Sequence, residues 1–251
     1  MIERKSPQEI ARMREAGQVL VAAMRFCREM AKPGVSTLEI DQEVEALIRK
    51  AGARPAFKGY RGFPATICAS INDEVVHGIP AAHRRLKEGD IVGLDLGAIV
   101  EGYYADAAIT LPVGEVTPDV QRLLDVTRES LERAIAESRS GNRLGDVSAA
   151  VQRHVEAAGF GVVRAFVGHG IGRELHEDPQ IPNFGEPGTG PVLKPGMVLA
   201  IEPMVTMGHW GVRVLADRWT AVTEDGSLTA HFEHTVAITE SGPDVLTREA
   251  A

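Results

Sequence analysis

Cysteine is nearly absent, with only Cys27 and Cys68 in a chain of 251 residues. Their spacing fits neither a disulfide framework nor a thiolate metal site, and both are expected to stay reduced. Positive charge is also short, with 27 Lys and Arg against 35 Asp and Glu and a net charge of −8. That balance argues against nucleic acid or an anionic membrane as a partner. No apolar run approaches the roughly 18 residues of a membrane span. Met1-Ile-Glu-Arg-Lys5 opens into a charged amphipathic helix instead of a signal peptide. Long linkers and low-complexity tracts are missing as well. What remains is 44% hydrophobic, enough for a full core. The expectation is a cytoplasmic, mildly acidic protein folding as one domain over residues 1–251.

The chain carries one pattern twice. Leu86-Lys-Glu-Gly89-Asp-Ile-Val-Gly-Leu-Asp95 recurs 107 residues later as Leu193-Lys-Pro-Gly196-Met-Val-Leu-Ala-Ile-Glu202. Each copy is a turn, then an apolar run that reads as a buried strand, then a carboxylate. Helices accompany both copies. Ser6-Pro7-Gln8-Glu9 is a capping box leading into a face of Ile10, Met13, Gly17, Leu20, Met24 and Cys27. A second helix starts at Ser36–Glu39 and stops at Gly52, a third opens at Thr117-Pro118, and a fourth runs from about Leu144 to Ala158. The second and fourth align without gaps at the same offset. The duplicated halves therefore cover about residues 7–113 and 117–240. Two repeats are too few for a solenoid and suit a closed pseudo-two-fold α+β unit, with helices on a curved, mainly antiparallel sheet.

Two carboxylates ending matched buried strands imply a shared positive partner, because an unpaired buried charge is too costly to keep. No nearby Lys or Arg is spaced to serve both, so metal is the economical answer. A tight turn centred between Val100 and Glu101 places Asp95 directly opposite Asp106, where the two acids either bracket a cation or share a proton. Glu202 begins a longer hairpin that returns through Ala230-His231-Phe232-Glu233-His234, with Asp225-Gly226 as an inner turn. If Glu233 plays the part of Asp106, four acids meet at the pseudo-axis, a set suited to two bridged metals. His169 sits in Gly168-His169-Gly170-Ile171-Gly172. It reads either as a histidine in a glycine-rich turn or as an imidazole freed for a metal. Oxygen-rich ligation with one imidazole favours Mn, Fe, Co or Zn. His77-Gly-Ile-Pro80 and His176-Glu-Asp-Pro179 form another pair, read as surface histidines or as groups flanking the metals. The other histidines and the His83-Arg84-Arg85 run read as solvated surface. His231 and His234 are left without a role.

Asp95, Asp106, His169, Glu202 and Glu233, in that order, resemble the ligand set of the methionine aminopeptidases and their pita-bread relatives. The resemblance extends through Tyr60-Arg-Gly-Phe63-Pro64 to Cys68 and Asn72, His77-Gly-Ile-Pro80, Gly102-Tyr103, Phe166-Val-Gly-His169-Gly, His176 and Ile201-Glu202-Pro203-Met204. On these stretches the chain is identified as a member of the type I methionine aminopeptidases, in the minimal form that resembles the bacterial enzymes. Departures occur at Ala107-Ala108, where hydroxyl residues are frequent, at Leu175, where a larger apolar residue is common, and at Phe184, where Tyr or Trp is usual.

The resemblance implies a cytoplasmic, monomeric metallo-exopeptidase. It would remove N-terminal methionine from nascent polypeptides, met at the ribosome, when the second residue is small. It implies two divalent ions, with Asp95 on one, His169 and Glu202 on the other, and Asp106 and Glu233 bridging. It gives Glu202 the handling of protons, His77 the scissile amide and His176 the oxyanion. Tyr60, Phe63, Cys68 and Trp219 become the walls of a methionine pocket, although each reads equally well as a core residue. The competing expectations are a non-catalytic binding protein on the same fold, or an aminopeptidase of different N-terminal specificity. Because Ile2 is large and β-branched, the chain is expected to keep its own Met1.

Overall fold

The computed structural model describes residues 2–248; the expectation for Met1 lies outside the described residues. Three of the four described α-helices begin where a hydroxyl side chain satisfies a free N–H group of the first turn. α1 (Pro7–Met30) starts at Ser6, whose hydroxyl accepts from Glu9 N while the Glu9 carboxylate accepts from Ser6 N. Ser36 and Glu39 repeat this reciprocal cap for α2 (Thr37–Lys50). Five strands follow: β1 (Arg54–Pro55), β2 (Ile67–Ile71), β3 (Glu74–Val76), β4 (Ile91–Val100) and β5 (Tyr103–Pro112). The second half opens with α3 (Pro118–Glu137), capped by Thr117, and α4 (Leu144–Ala157). Its strands are β6 (Gly161–Val162), β7 (Gly168–Gly170), β8 (Glu177–Ile181), β9 (Val198–Ile201), β10 (Met204–Thr206), β11 (Val212–Val214), β12 (Ala221–Thr223), β13 (Thr229–His231), β14 (His234–Thr239) and β15 (Gly242–Val245).

Every ladder is antiparallel, in the orders β1-β4-β2 with β5 also on β4, β15-β14-β9-β7-β8, β13-β10-β6 and β11-β12-β3. The helices cover one side. Leu20, Ile40, Val44 and Ile48 pack on Ile67, Leu94, Leu96 and Ala107 in the first half, and Leu123, Leu131, Val147 and Val151 on Leu199, Ile201, Val205 and Val236 in the second. Burying such side chains contributes about 1.5–3 kcal/mol each, so each helix is held chiefly by its apolar face. The expected face of α1 is buried from Met13 to Cys27. Gly17 is required within it, since a Cβ there would lie 2.3 Å from the Leu246 carbonyl oxygen. No described helix is long and apolar enough to cross a membrane.

The halves join edge to edge along β5. Thr235 Oγ1 donates to Asp106 O (2.8 Å) and accepts from Asp106 N (2.9 Å), and Glu233 N donates to Ala108 O (2.9 Å). Thr110 Oγ1 makes the same two-way contact with His231. β3 crosses to pair with β12. This seam brings the acids of the two halves together.

One register differs from expectation. The turn between β4 and β5 is the two-residue Glu101-Gly102, with φ of 48° and 84°, because a hairpin loop of two left-handed residues matches the strand twist. Asp95 therefore faces Ala108, and Asp106 faces Gly97. The shift is two positions, so the side-chain parity survives and both acids still share a face. They are diagonal neighbours, not directly opposed. Asp225-Gly226 does turn the chain, but between β12 and β13, which do not pair with each other.

Candidate metal centre and substrate cavity

The β4–β5 ladder and the residues directly flanking β9 and β14 place the carboxylates in one line. Asp95 on β4 lies beside Ala108 on β5, Ala108 beside Glu233, and Glu233 beside Glu202, which continues the register of His234 opposite Ile201. Asp106 stands two residues from Ala108 on the same face. Ala108 is the small residue that lets Asp95 and Glu233 approach from either side.

Burial raises the affinity of all four acids for protons. Asp95 is pushed up to about 7. Asp106, Glu202 and Glu233 rise well above the carboxyl range, first because they are cut off from water and then because each faces its neighbours' charges. His169 shows what the cluster accommodates. Its Nδ1 lies 2.9 Å from Gly170 O; a carbonyl only accepts, so Nδ1 carries the hydrogen and Nε2 keeps its lone pair. That lone pair sits 3.5 Å from Glu202 Oε1 and 4.0 Å from Asp106 Oδ2, and burial holds the ring neutral by lowering its pKa to about 4. Oxygens and a nitrogen lone pair facing one another repel unless a proton or a cation stands among them. Asp95 Oδ1, Asp106 Oδ1 and Glu233 Oε1 are buried without a hydrogen-bond partner, and ligand atoms of Asp106, His169 and Glu233 lie within 4.8 Å of one another. The donor set is hard oxygen plus one imidazole, which fits divalent ions.

Metal loading must then expel protons. Divalent ions are expected to bind more tightly as pH rises and to release protons on binding, measurable by titration calorimetry in buffers of different ionisation enthalpy. The sign for stability follows from the raised pKa. The metal-free fold is favoured while Asp95 is protonated and loses that contribution as pH climbs from the usual carboxyl range to about 7, and Asp106, Glu202 and Glu233, also raised, act in the same direction. Its melting temperature is expected to fall over that window and to recover on adding metal; a melting curve insensitive to both would contradict the cluster.

The acids floor a cavity of about 180 Å³ lined by Tyr60, Phe63, Cys68, His77, Asp95, Asp106, His169, His176, Glu202, Trp219 and Glu233, so the residues given a metal, catalytic or pocket role in the sequence reach one space. Phe63 meets Trp219 edge-on at 5.1 Å, and Trp219 meets His77 at 6.2 Å. Tyr60 OH lies 2.9 Å from His176 Nδ1. His77 has φ of 62°, a conformation that non-glycine residues avoid unless their surroundings impose it. Its loop is braced by Arg84, which pairs with Glu74 and donates to Ile79 O. Arg84 is therefore a half-buried brace and not the solvated surface expected of His83-Arg84-Arg85; its guanidinium is needed because Glu74 is itself partly cut off from water while capping Ile71 N. His154 departs similarly, largely covered and 3.2 Å from Glu129. Leu175 lines the cavity and Phe184 does not.

The glycines around His169 answer to packing more than to a ligand. A Cβ at Gly168 would lie 2.4 Å from Ala200 O, at Gly170 2.1 Å from Asp178 O, and at Gly172 2.2 Å from Lys5 Cε. Sequence reasoning misses Phe57, an apolar residue with no local signal, gives no role to Phe166 although it stands in the stretch leading to His169, and leaves His231 unassigned. His231 is 4% exposed and its Nε2 lies 3.8 Å from Glu202 Oε2. Its alternation with Glu233, two residues apart on one face, is the available signal.

A buried line of acids and one imidazole, opening into an apolar cavity, is the arrangement of a metal-dependent hydrolase, and the chain belongs to metallopeptidase family M24, which it matches over residues 11–240. Several relatives that match it over nearly their full length are methionine aminopeptidases. It is 54% identical to methionine aminopeptidase 1 of Bacillus subtilis, over 99% of this chain and 100% of that protein. The crystal structure of methionine aminopeptidase from Thermotoga maritima is similar with a TM-score of 0.98 and 53% identity, covering 99% of this chain and 100% of that one. Prolidase from Pyrococcus furiosus has a TM-score of 0.78 and 26% identity, covering 99% of this chain and 66% of the prolidase. The shared architecture is the pita-bread fold.

Proposed function

We propose that this protein is the metallo-exopeptidase that removes N-terminal methionine from polypeptides, with a single catalytic unit formed by both halves. The observation that carries the reading is one cavity joining a four-carboxylate, one-imidazole floor to an apolar wall. Two divalent ions would be held by Asp95, Asp106, His169, Glu202 and Glu233. When bound, they supply acidity to a water and polarisation to a carbonyl. Glu202, its carboxyl beside both His169 and His231, takes up and passes on a proton during attack on the first peptide bond. His176 donates to the oxygen on which charge develops, and His77 contacts the scissile amide. Phe63, Cys68 and Trp219 hold the unbranched thioether side chain, and Tyr60 closes the slot beside His176. The substrates are nascent chains met in the cytoplasm, at the ribosome, by a monomer.

Assaying Met-Ala, Met-Ile, Leu-Ala and Ala-Ala peptides with Co, Mn, Fe and Zn in turn tests the reading. Release of methionine from Met-Ala alone supports it. Turnover of Leu-Ala or Ala-Ala at the same rate would point to another specificity, and no turnover with any metal to a binding protein.

The second substrate residue must be small, since it lies against the metal floor. This sets an expectation for the chain itself: Ile2 keeps Met1 in place, whereas Ile2→Ala made in cells loses it. Intact mass spectrometry reads the difference of one methionine. Wild-type protein lacking Met1, with Met-Ile cut as fast as Met-Ala, would contradict this specificity.

A further inference from the structure

The segment ahead of α1 carries a charge into the second half. Lys5 is 7% exposed, a burial that lysine rarely reaches without a partner. Its ammonium donates to Glu177 Oε2, and Glu177 directly follows His176. The other oxygen, Oε1, accepts from Arg173 N (2.8 Å) and Glu174 N (3.2 Å). One carboxylate therefore closes the turn that delivers His176 and ties it to the N-terminal strap. The lysine stem runs against Gly172, where a Cβ would lie 2.2 Å from Lys5 Cε and 2.8 Å from Nζ. The strap has its own anchor: Lys5 N donates to Gly196 O (2.6 Å) and Arg4 Nε to Pro195 O (2.7 Å), at the turn feeding β9 and Glu202.

This tie is placed where the sheet gives little help. β7 ends at Gly170 and β8 begins at Glu177, so residues 171–176 lie outside the ladder. Ile171 N and Gly172 O reach neighbouring strands, and Arg173 lies over Tyr103 near Glu9 at an exposed site, where an ion pair contributes little. On one side His176 follows Leu175, which is packed in the core, and its ring meets Tyr60 OH; on the other side the largely covered side chain of Glu177 is the charged hold.

We propose that Lys5 is a positioning residue for His176, acting through Glu177. The inference rests on the role given to His176 above. Lys5→Met keeps the stem and removes the charge. With a Met-Ala peptide, kcat is expected to fall roughly tenfold or more, as small misplacements of reacting groups do. KM is expected to change less than about twofold, with metal stoichiometry kept, because the lost contact matters only in the transition state. The decisive readout is a double-mutant cycle. In a His176→Ala background, Lys5→Met should cost less than about twofold, since the group it positions is gone. Glu177→Gln keeps an acceptor for the two backbone N–H groups but loses the ion pair, and is expected to show the same pattern if Lys5→Met folds poorly. Unchanged kcat in both variants, an equal fold-loss with and without His176, or a parallel loss of metal would overturn the proposal. If His176→Ala alone left kcat intact, the failure would lie with the role of His176 instead.

Discussion

Glu202→Ala is expected to leave no measurable hydrolysis. Proton transfer by a placed carboxylate accounts for roughly 10²–10⁴ in rate, and the same substitution removes an oxygen 3.5 Å from the lone pair of His169, lowering occupancy of one ion. Misfolding would not explain the loss. Glu202 raises the proton affinity of Glu233 by its charge, so removing it relieves repulsion in a buried cluster, and truncating one of several crowded like charges does not orphan a partner. The metal-free variant is therefore expected to melt no lower than metal-free wild type, while the gain in melting temperature on adding metal shrinks. Activity, metal titration and melting curves with and without metal give the three readings. Full activity, or full metal occupancy with normal turnover, would sink the assignment of Glu202.

Much of this centre is legible in the sequence because its chemistry is written on regular strands. Asp95 and Glu202 follow matched apolar runs, and although β4 continues past Asp95 to Val100 while β9 stops at Ile201, a carboxylate buried beside such a run calls for a cation on the strength of its desolvation alone. The helices are equally open to reading, since Ser6–Glu9 and Ser36–Glu39 carry their caps in four consecutive residues. The register of the first hairpin is less open. Whether the loop holds Val100-Glu101 or Glu101-Gly102 turns on which pair accepts positive φ, and only the second does so with glycine in place. Parity rescues the conclusion that Asp95 and Asp106 share a face. Long-range packing leaves no local trace. Nothing near Arg84 tells that the half-buried Glu74 needs its cation, and nothing near Gly172 tells that the stem of Lys5 will lie on it.

His176→Ala separates turnover from metal binding, and its effect is expected to be the mirror of Glu202→Ala. The ring stands at the mouth of the cavity, with its centroid 4.2 Å from that of His169. The residue is exposed at that mouth, but shielding of the ring's inner side from water, followed by the charges that His169, Arg61 and His77 would carry, lowers its pKa, so it is neutral at neutral pH and owns one N–H. Tyr60 OH lies 2.9 Å from Nδ1. A phenol donating there leaves the hydrogen on Nε2, free for an oxyanion; this makes Tyr60 more than a wall of the slot. Losing one donor to such an oxygen costs about 10²–10³ in kcat, and KM should move little because the bond strengthens only as charge develops. Metal content should stay at the wild-type level. His176→Gln, which restores an N–H, is expected to recover part of the rate, and Tyr60→Phe to lose less than His176→Ala, since it frees the tautomer without removing the ring. Steady-state kinetics on a Met-Ala peptide, read beside metal analysis, decide between the outcomes: a fall in metal stoichiometry matching that of Glu202→Ala would place His176 among the ligands instead of over the reacting carbonyl.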